Sequence, residues 1–279
     1  MDAEATATAK LAVLIDADNA QPKIASLVLA EIAKYGTAFV KRAYGDWTTN
    51  NLNGWKEHLL SNSIQPIQQF GYTQGKNSTD AAMVIDAMDL LYTNRFDGFC
   101  IVSSDSDFTR LASRIRESGL VVYGVGERKT PKPLVTACDK FIYTENLSAN
   151  LKAAPAHPPS AAPEDLINRD LTGRDLISRD LTNRKRPFNA ISKKDPEDLD
   201  SEMSFIYEAI EDVSDDDGWA SLAPLGLLIN KRHPDFDPRS FGYEKLSHLL
   251  QDDRSLEMTK RIPGVGKPPV VYVRMLRLL

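Results

Sequence analysis

From residue 10 the chain alternates two kinds of pattern. Short apolar runs predict strands: "LAVLID" (11–16), "TAFVKRAY" (37–44), "IQPIQQF" (64–70), "GFCIVS" (98–103), "LVVYGVG" (120–126) and "KFIYT" (140–144). Several are nearly continuous in apolar character, as strands become when helices cover both faces of a parallel sheet. Between them, over 21–35, about 52–62, 80–93, 107–118 and 132–138, apolar positions recur at helical spacing. Phe108, Leu111, Ala112 and Ile115 share one face of such a helix, and Gly119 follows as its stop. Alternating strands and helices predict an α/β fold, a doubly wound and mostly parallel sheet, over residues 10–147, with residues 1–9 as a disordered lead.

The pattern breaks at 148. Residues 148–197 read as a flexible linker, beginning with the Pro/Ala-rich "AAPAHPPSAAPE" and continuing into four pentads, "DLINR DLTGR DLISR DLTNR". A five-residue period turns Leu by about 140° per repeat around a helix and flips it across a strand, so neither gives a sustained apolar face. Four pentads are also too few for a stacked solenoid, which needs several units. Residues 198–279 regain order. "EMSFIYEAIEDV" is an amphipathic helix, a second helix runs around Leu222–Asn230, and "DPRSFGYEKLSHLLQD" is a third. Two short strands follow, "LEMTKR" and "PPVVYVRML". Three helices and a hairpin make a small winged-helix domain, an arrangement whose relatives often touch nucleic acid through a helix or the wing.

Composition narrows the classes. Net charge is −5, which argues against binding nucleic acid by bulk electrostatics and leaves only a local basic groove. The two cysteines have no metal spacing and fit a reducing, cytoplasmic setting. The opening "MDAEATATAK" lacks a signal-peptide profile, and no apolar run reaches the length of a membrane span.

The acids supply the candidate chemistry. In open α/β sheets ligands gather outside the carboxyl ends of the strands. Asp16 and Asp18 close the first predicted strand in "VLIDADNA", and Asp105 and Asp107 close the fourth in "IVSSDSDF". In the common strand order these two strands are neighbours at the switch point, so the acidic tips face each other. Asp80, in the first turn of the helix in "GKNSTDAAMVIDAMDLL", is a third contributor. Carboxylates with oxygen partners such as Asn19 and Ser104, and no nearby His or Cys, suit Mg²⁺ or Mn²⁺. Each acid alone is equally an ordinary helix cap. Doubled acids at both strand tips exceed what capping needs, because like charges held close are destabilising unless a cation or proton relieves them. Asp86 lies 120° around the helix from Asp80 and reads as a supporting residue, with Asp89, on the opposite face, as a solvated or helix-packing residue.

"VLIDADNA", "GKNSTDAAMVIDAMDLL", "SSDSDF" and "LVTACDKFIYTENL", in that order, resemble the NYN domain, a LabA-like branch of the PIN-like ribonuclease superfamily. The resemblance implies a Mg²⁺- or Mn²⁺-dependent endoribonuclease with one or two ions. Asp16, Asp80 and Asp105 would be metal ligands, Asn19 a polar partner and Asp107 a supporting catalytic acid, with Asp18 and Ser104 beside them. "DGWASLAPLGLLINKRHPDFDPRSFGYEKLSHLL" resembles the LOTUS, or OST-HTH, domain, an RNA- or protein-binding module. Both resemblances point to RNA, single-stranded or structured, as the partner, with a protein partner for the LOTUS domain as a further option. The strand would be held by Lys76, Arg42, Trp47, Arg128, Lys129 and Lys132 in the first domain and by Lys231, Arg232 and Arg239 in the second. Trp219, Phe241 and Tyr243 read as core. Two other readings use the same residues. One is a non-catalytic RNA-binding adaptor. The other is a phosphatase of the haloacid-dehalogenase type, with Asp16 as nucleophile and Asp18 as acid, although Asn19 and Ala20 depart from that motif.

Overall fold

A computed structural model describes residues 8–70, 78–153, 196–262 and 268–276. The first domain runs β1 (Lys10–Asp16), α1 (Ala25–Ile32), β2 (Thr37–Gly45), α2 (Trp55–Ser61), β3 (Gln65–Gln68), α3 (Ser78–Tyr92), β4 (Gly98–Val102), α4 (Thr109–Glu117), β5 (Val121–Gly126), α5 (Lys132–Ala137), β6 (Lys140–Tyr143) and α6 (Thr144–Ala153). Its six strands form one sheet in the order β3-β2-β1-β4-β5-β6, all neighbours parallel. The doubly wound parallel sheet expected from the alternation is therefore present, and β1 and β4 are adjacent at the switch point.

Alternation along the central strands divides the core in two. Leu11, Val13 and Ile15 of β1, with Cys100 and Val102 of β4, pack with Val28 and Ile32 of α1 and Trp55 of α2. Ala12 and Leu14, with Phe99 and Ile101, face the other way, toward Met83 of α3, Leu111 and Ile115 of α4, and Leu134 of α5. Both faces are covered, which is why six of the seven residues of β1 and all five of β4 are buried. The expected face of α4 is realised: Phe108, Leu111, Ala112 and Ile115 are buried, and Gly119 has a φ of 81° just past the helix end.

The second domain contains α7 (Pro196–Val213), β7 (Ala220–Ser221), α8 (Leu222–Arg232), α9 (Leu246–Asp252), β8 (Leu256–Arg261) and β9 (Val270–Met275). β8 and β9 form an antiparallel hairpin, and β7 joins its far side to give the order β7-β9-β8. Three helices and a wing are thus as the sequence predicts, with a two-residue strand added. The third helix is shorter than its sequence pattern. Asp237 accepts the Arg239 amide and opens a 3₁₀ turn over Pro238–Phe241, and Gly242, at φ 85°, ends that turn before α9 begins.

Helix α6 continues to Ala153 and α7 begins at Pro196, so helix extends into both ends of the expected linker. The pentads, like the first seven residues, lie outside the described residues. Among the described residues no helix is long and apolar enough to cross a membrane.

Candidate metal centre

Two adjacent strand tips and one helix start build the acidic cluster. β1 and β4 run in register with Ile15 opposite Val102. The next step along each strand brings Asp16 beside Ser103, where Ser103 Oγ donates to Asp16 Oδ2 at 2.7 Å. The same Oγ accepts the Asp105 amide at 3.0 Å. Ser103 therefore ties the two acidic tips together. Asp105 in turn accepts the Asp107 amide at 2.9 Å and caps a 3₁₀ turn over Ser106–Phe108, so the capping role and the candidate ligand role belong to one side chain. Phe108, 0% exposed, anchors that turn in the core, and its burial stabilises by about 2–3 kcal/mol. Across the cleft, Thr79 Oγ1 donates to Asp18 Oδ2 at 2.8 Å, which fastens the start of α3 to the end of β1.

The result is a set of three acids, Asp80, Asp105 and Asp107, each offering a carboxylate oxygen within 4.8 Å of the others. Asp16 was expected among the direct ligands, yet it is not one of the three. It is 0% exposed, and its oxygens accept Asn19 Nδ2 at 2.8 Å, the Asn19 amide at 3.3 Å and Ser103 Oγ. Asp107, expected in support, takes the third place. Burial pushes the Asp16 carboxyl above its usual range in spite of these donors, and the Asp18 charge adds to the effect. Asp80 is pushed up to about 6, first by burial and then by the charges of Asp16, Asp105, Asp107 and Asp18. A carboxyl raised in part by the charges of four neighbouring acids marks a site short of positive charge. Its donors are all oxygen, which fits a hard divalent cation such as Mg²⁺ or Mn²⁺.

Ser104 Oγ accepts the Glu127 amide at 2.8 Å and holds the β5–α5 loop against the tip of β4. Ser103 was not among the sequence candidates. The strand register would have revealed it, since only the pairing of Ile15 with Val102 sets it opposite Asp16.

The expected nucleic-acid contacts divide. Arg128 is exposed on the β5–α5 loop, with its guanidinium 5.2 Å from the centre of the Tyr143 ring and Nη2 3.1 Å from Asn146 Oδ1. Lys129, also exposed, pairs with Glu127 at 2.8 Å. Lys231 is exposed, and Arg232 pairs with Asp212 at 2.5 Å. The others are committed to the fold. Arg42 and Tyr44 both donate to Asp86 and pin α3 to β2. Trp47 is half-buried, and its Nε1 donates to the Ile67 carbonyl at 2.9 Å. Lys132 pairs with Asp235 at 3.4 Å, and Arg239 is fixed by Asp237 and Glu31. Lys76 lies outside the described residues. Trp219 is core, 8% exposed, and lies beneath Arg261 and Arg274, each 4.5 Å from its ring.

A family model for the NYN domain matches residues 10–148, and one for the OST-HTH/LOTUS domain matches residues 197–267. No curated protein matches the chain. Among solved structures it is similar to a protein of unknown function, VPA0982, from Vibrio parahaemolyticus RIMD 2210633. That likeness has 19% identity, covers 50% of this chain and 94% of the other, and has a TM-score of 0.42. It is also similar to the uncharacterized protein from gene locus NE0665 of Nitrosomonas europaea, at 30% identity over 37% of this chain and 92% of the other, with a TM-score of 0.28.

Proposed function

We propose that this chain, which belongs to the NYN-domain family and carries a C-terminal OST-HTH/LOTUS domain, is a divalent-cation-dependent endoribonuclease whose second domain helps to hold the RNA. The observation that carries this reading is the meeting of Asp80, Asp105 and Asp107 within 4.8 Å at the carboxyl ends of β1 and β4.

The chain's own groups divide the work. Asp80, Asp105 and Asp107 would hold the cation, and Asp16 behind them keeps the site negative. Ser103 fixes the spacing of the two tips, and the Thr79–Asp18 bond fixes α3, hence Asp80, relative to β1. A bound cation would supply charge to activate water and stabilise the phosphorane-like transition state. Arg128 and Lys129, exposed on the loop that Ser104 fastens through the Glu127 amide, would be the phosphate-holding cations of this domain. Lys231 and the wing residues Lys260 and Arg261 serve the same purpose in the second domain. A phosphatase reading would need Asp16 as nucleophile, but its side chain is buried, Oδ2 accepts from both Asn19 Nδ2 and Ser103 Oγ, and Oδ1 accepts the Asn19 amide.

The test is incubation of wild type and Asp105→Asn with labelled single-stranded RNA, hairpin RNA and DNA, in Mn²⁺, Mg²⁺ or EDTA. Cation-dependent RNA cleavage, lost in the variant, is expected. RNA bound but intact in every lane would instead make the chain a non-catalytic adaptor.

A further inference from the structure

Glu31 poses a problem that the first domain alone does not solve. Its helix, α1, turns Ala25, Val28 and Ile32 into the core, yet Glu31 itself is only 5% exposed. A carboxylate withdrawn from water needs charged or hydrogen-bonding partners. Lys34 supplies one at 2.6 Å. The other comes from 208 residues further along the chain: Arg239 forks onto it, Nη1 to Oε2 at 3.0 Å and Nη2 to Oε1 at 2.9 Å. The same guanidinium closes on Asp237 of its own turn, with Nε 2.9 Å and Nη2 2.6 Å from Oδ2. Asp237 is 6% exposed.

A second set of contacts lies along β6, the edge strand of the large sheet. The Phe141 amide, on the side away from β5, donates to the Pro234 carbonyl at 2.8 Å. Tyr143 Oη donates to Asp235 Oδ2 at 3.0 Å, Lys140 Nζ to Asn230 Oδ1 at 3.0 Å, and Asn146 Nδ2 to Ser240 Oγ at 2.9 Å. An edge strand is otherwise a row of unpaired backbone groups, and covering it is one of the ways proteins manage that exposure. The end of α8 and the turn that follows it provide every second-domain partner in both sets.

We propose that residues 230–240 form a docking surface whose partner is this chain's own first domain, with the Arg239–Glu31 fork as its lock. The two domains then act as one body. Arg239 and Asn230 are occupied by the contact, so the second domain meets RNA through the faces that stay open, where Lys231 and Lys260 are exposed. The contact also reaches the candidate centre. Arg128 stacks on Tyr143 and donates to Asn146, the two residues that touch Asp235 and Ser240, and its neighbour Glu127 is held by Ser104, next to Asp105. This last consequence rests on the nuclease reading; the docking does not.

The test therefore uses neither metal nor RNA. Backbone ¹⁵N relaxation of the full chain gives a rotational correlation time for each domain, and sedimentation gives the mass. The wild type is expected to be a single chain in which both domains share one correlation time. Glu31→Arg sets a cation against Arg239 from the first-domain side and is expected to split that value in two. Asp235→Ala, at the β6 end of the contact, is expected to loosen it. In each variant, retained shift dispersion in both domains separates release from unfolding. Two distinct correlation times in the wild type, one shared value in dispersed Glu31→Arg, or a dimer that the variant dissociates would each overturn docking within one chain.

Discussion

Replacing Asp80 with Asn should stabilise the protein in the absence of a divalent cation. The carboxyl of Asp80 is raised from 3.8 to about 6 by burial and by four neighbouring acids. That is about 2 units, or about 3 kcal/mol at 1.36 kcal/mol per unit, of cost to the folded state when the group is ionised. Asp80 is only partly buried, so solvent screening reduces this to roughly 1.5 kcal/mol. Against that, Asp80 lies in the first turn of α3, where its charge favours the helix by about 0.5 kcal/mol that Asn forgoes. Repulsion wins, and the net gain is about 1 kcal/mol, or roughly 3–4 °C in the melting of a domain this size. The sign with pH follows from the raised value. The folded state binds the proton more tightly than the unfolded state, so the wild type recovers stability as pH falls through about 6. The advantage of Asp80→Asn is full at pH 7.5 and gone near pH 4. A saturating cation reverses the order at pH 7.5, because a ligand at 100 times its Kd adds about 2.7 kcal/mol to the protein that binds it. Thermal unfolding by circular dichroism in EDTA and in Mn²⁺, over pH 4 to 7.5, measures all of this. A variant less stable than wild type at pH 7.5 in EDTA, or a difference that does not change with pH, would refute the reasoning.

Other expectations follow from the same geometry. Ser103→Ala removes the donor to buried Asp16 and the acceptor of the Asp105 amide, so the urea midpoint should fall by the equivalent of about 1.5–3 kcal/mol. Mn²⁺ affinity by calorimetry should weaken with it, and an unmoved midpoint would show that Ser103 does not hold the tips. Burial pushes the Cys138 thiol up to about 12 and raises Cys100 as well. Neither should react with a disulfide reagent at pH 8 until denaturant is added, a contrast read by absorbance.

The fold was legible because its signals are local. Apolar runs such as "LAVLID" and "GFCIV" identify buried parallel strands without any knowledge of their neighbours, and acids at their ends mark the switch point. What stayed hidden depends on distance in the chain. Ser103 becomes significant only through the register that sets Ile15 beside Val102. Asp107 meets Asp80 and Asp105 from a 3₁₀ turn that opens at Asp105, a turn the helical pattern of the sequence does not predict. Arg239 looks like a phosphate contact in "HPDFDPRSF", and nothing nearby reveals that its partner is Glu31. The third helix of the second domain misled for a different reason: apolar spacing continues across Gly242, but the backbone there is left-handed and the helix cannot.

Two pairs of acids in this chain end with shifts of opposite sign although burial raises all four, and the contrast separates structure from function. Asp16 and Asp80 are raised, because burial and neighbouring carboxylates act in the same direction. Burial would likewise raise Glu31 and Asp237, yet the hydrogen bonds and charge of Arg239, with Lys34 helping Glu31, leave both lowered. At the domain contact the protein has supplied its own counter-charge, so that cluster is complete and its work is to join two surfaces. At the strand tips the chain has brought acids from β1, β4 and α3 together, and their own hydrogen bonds do not offset the repulsion. A shifted pKa alone would not distinguish these cases, since ion-pair networks shift pKa values too. The sign of the shift does: the lowered pair is satisfied from within, whereas the raised Asp80 belongs to the three-acid cluster that a divalent cation would satisfy.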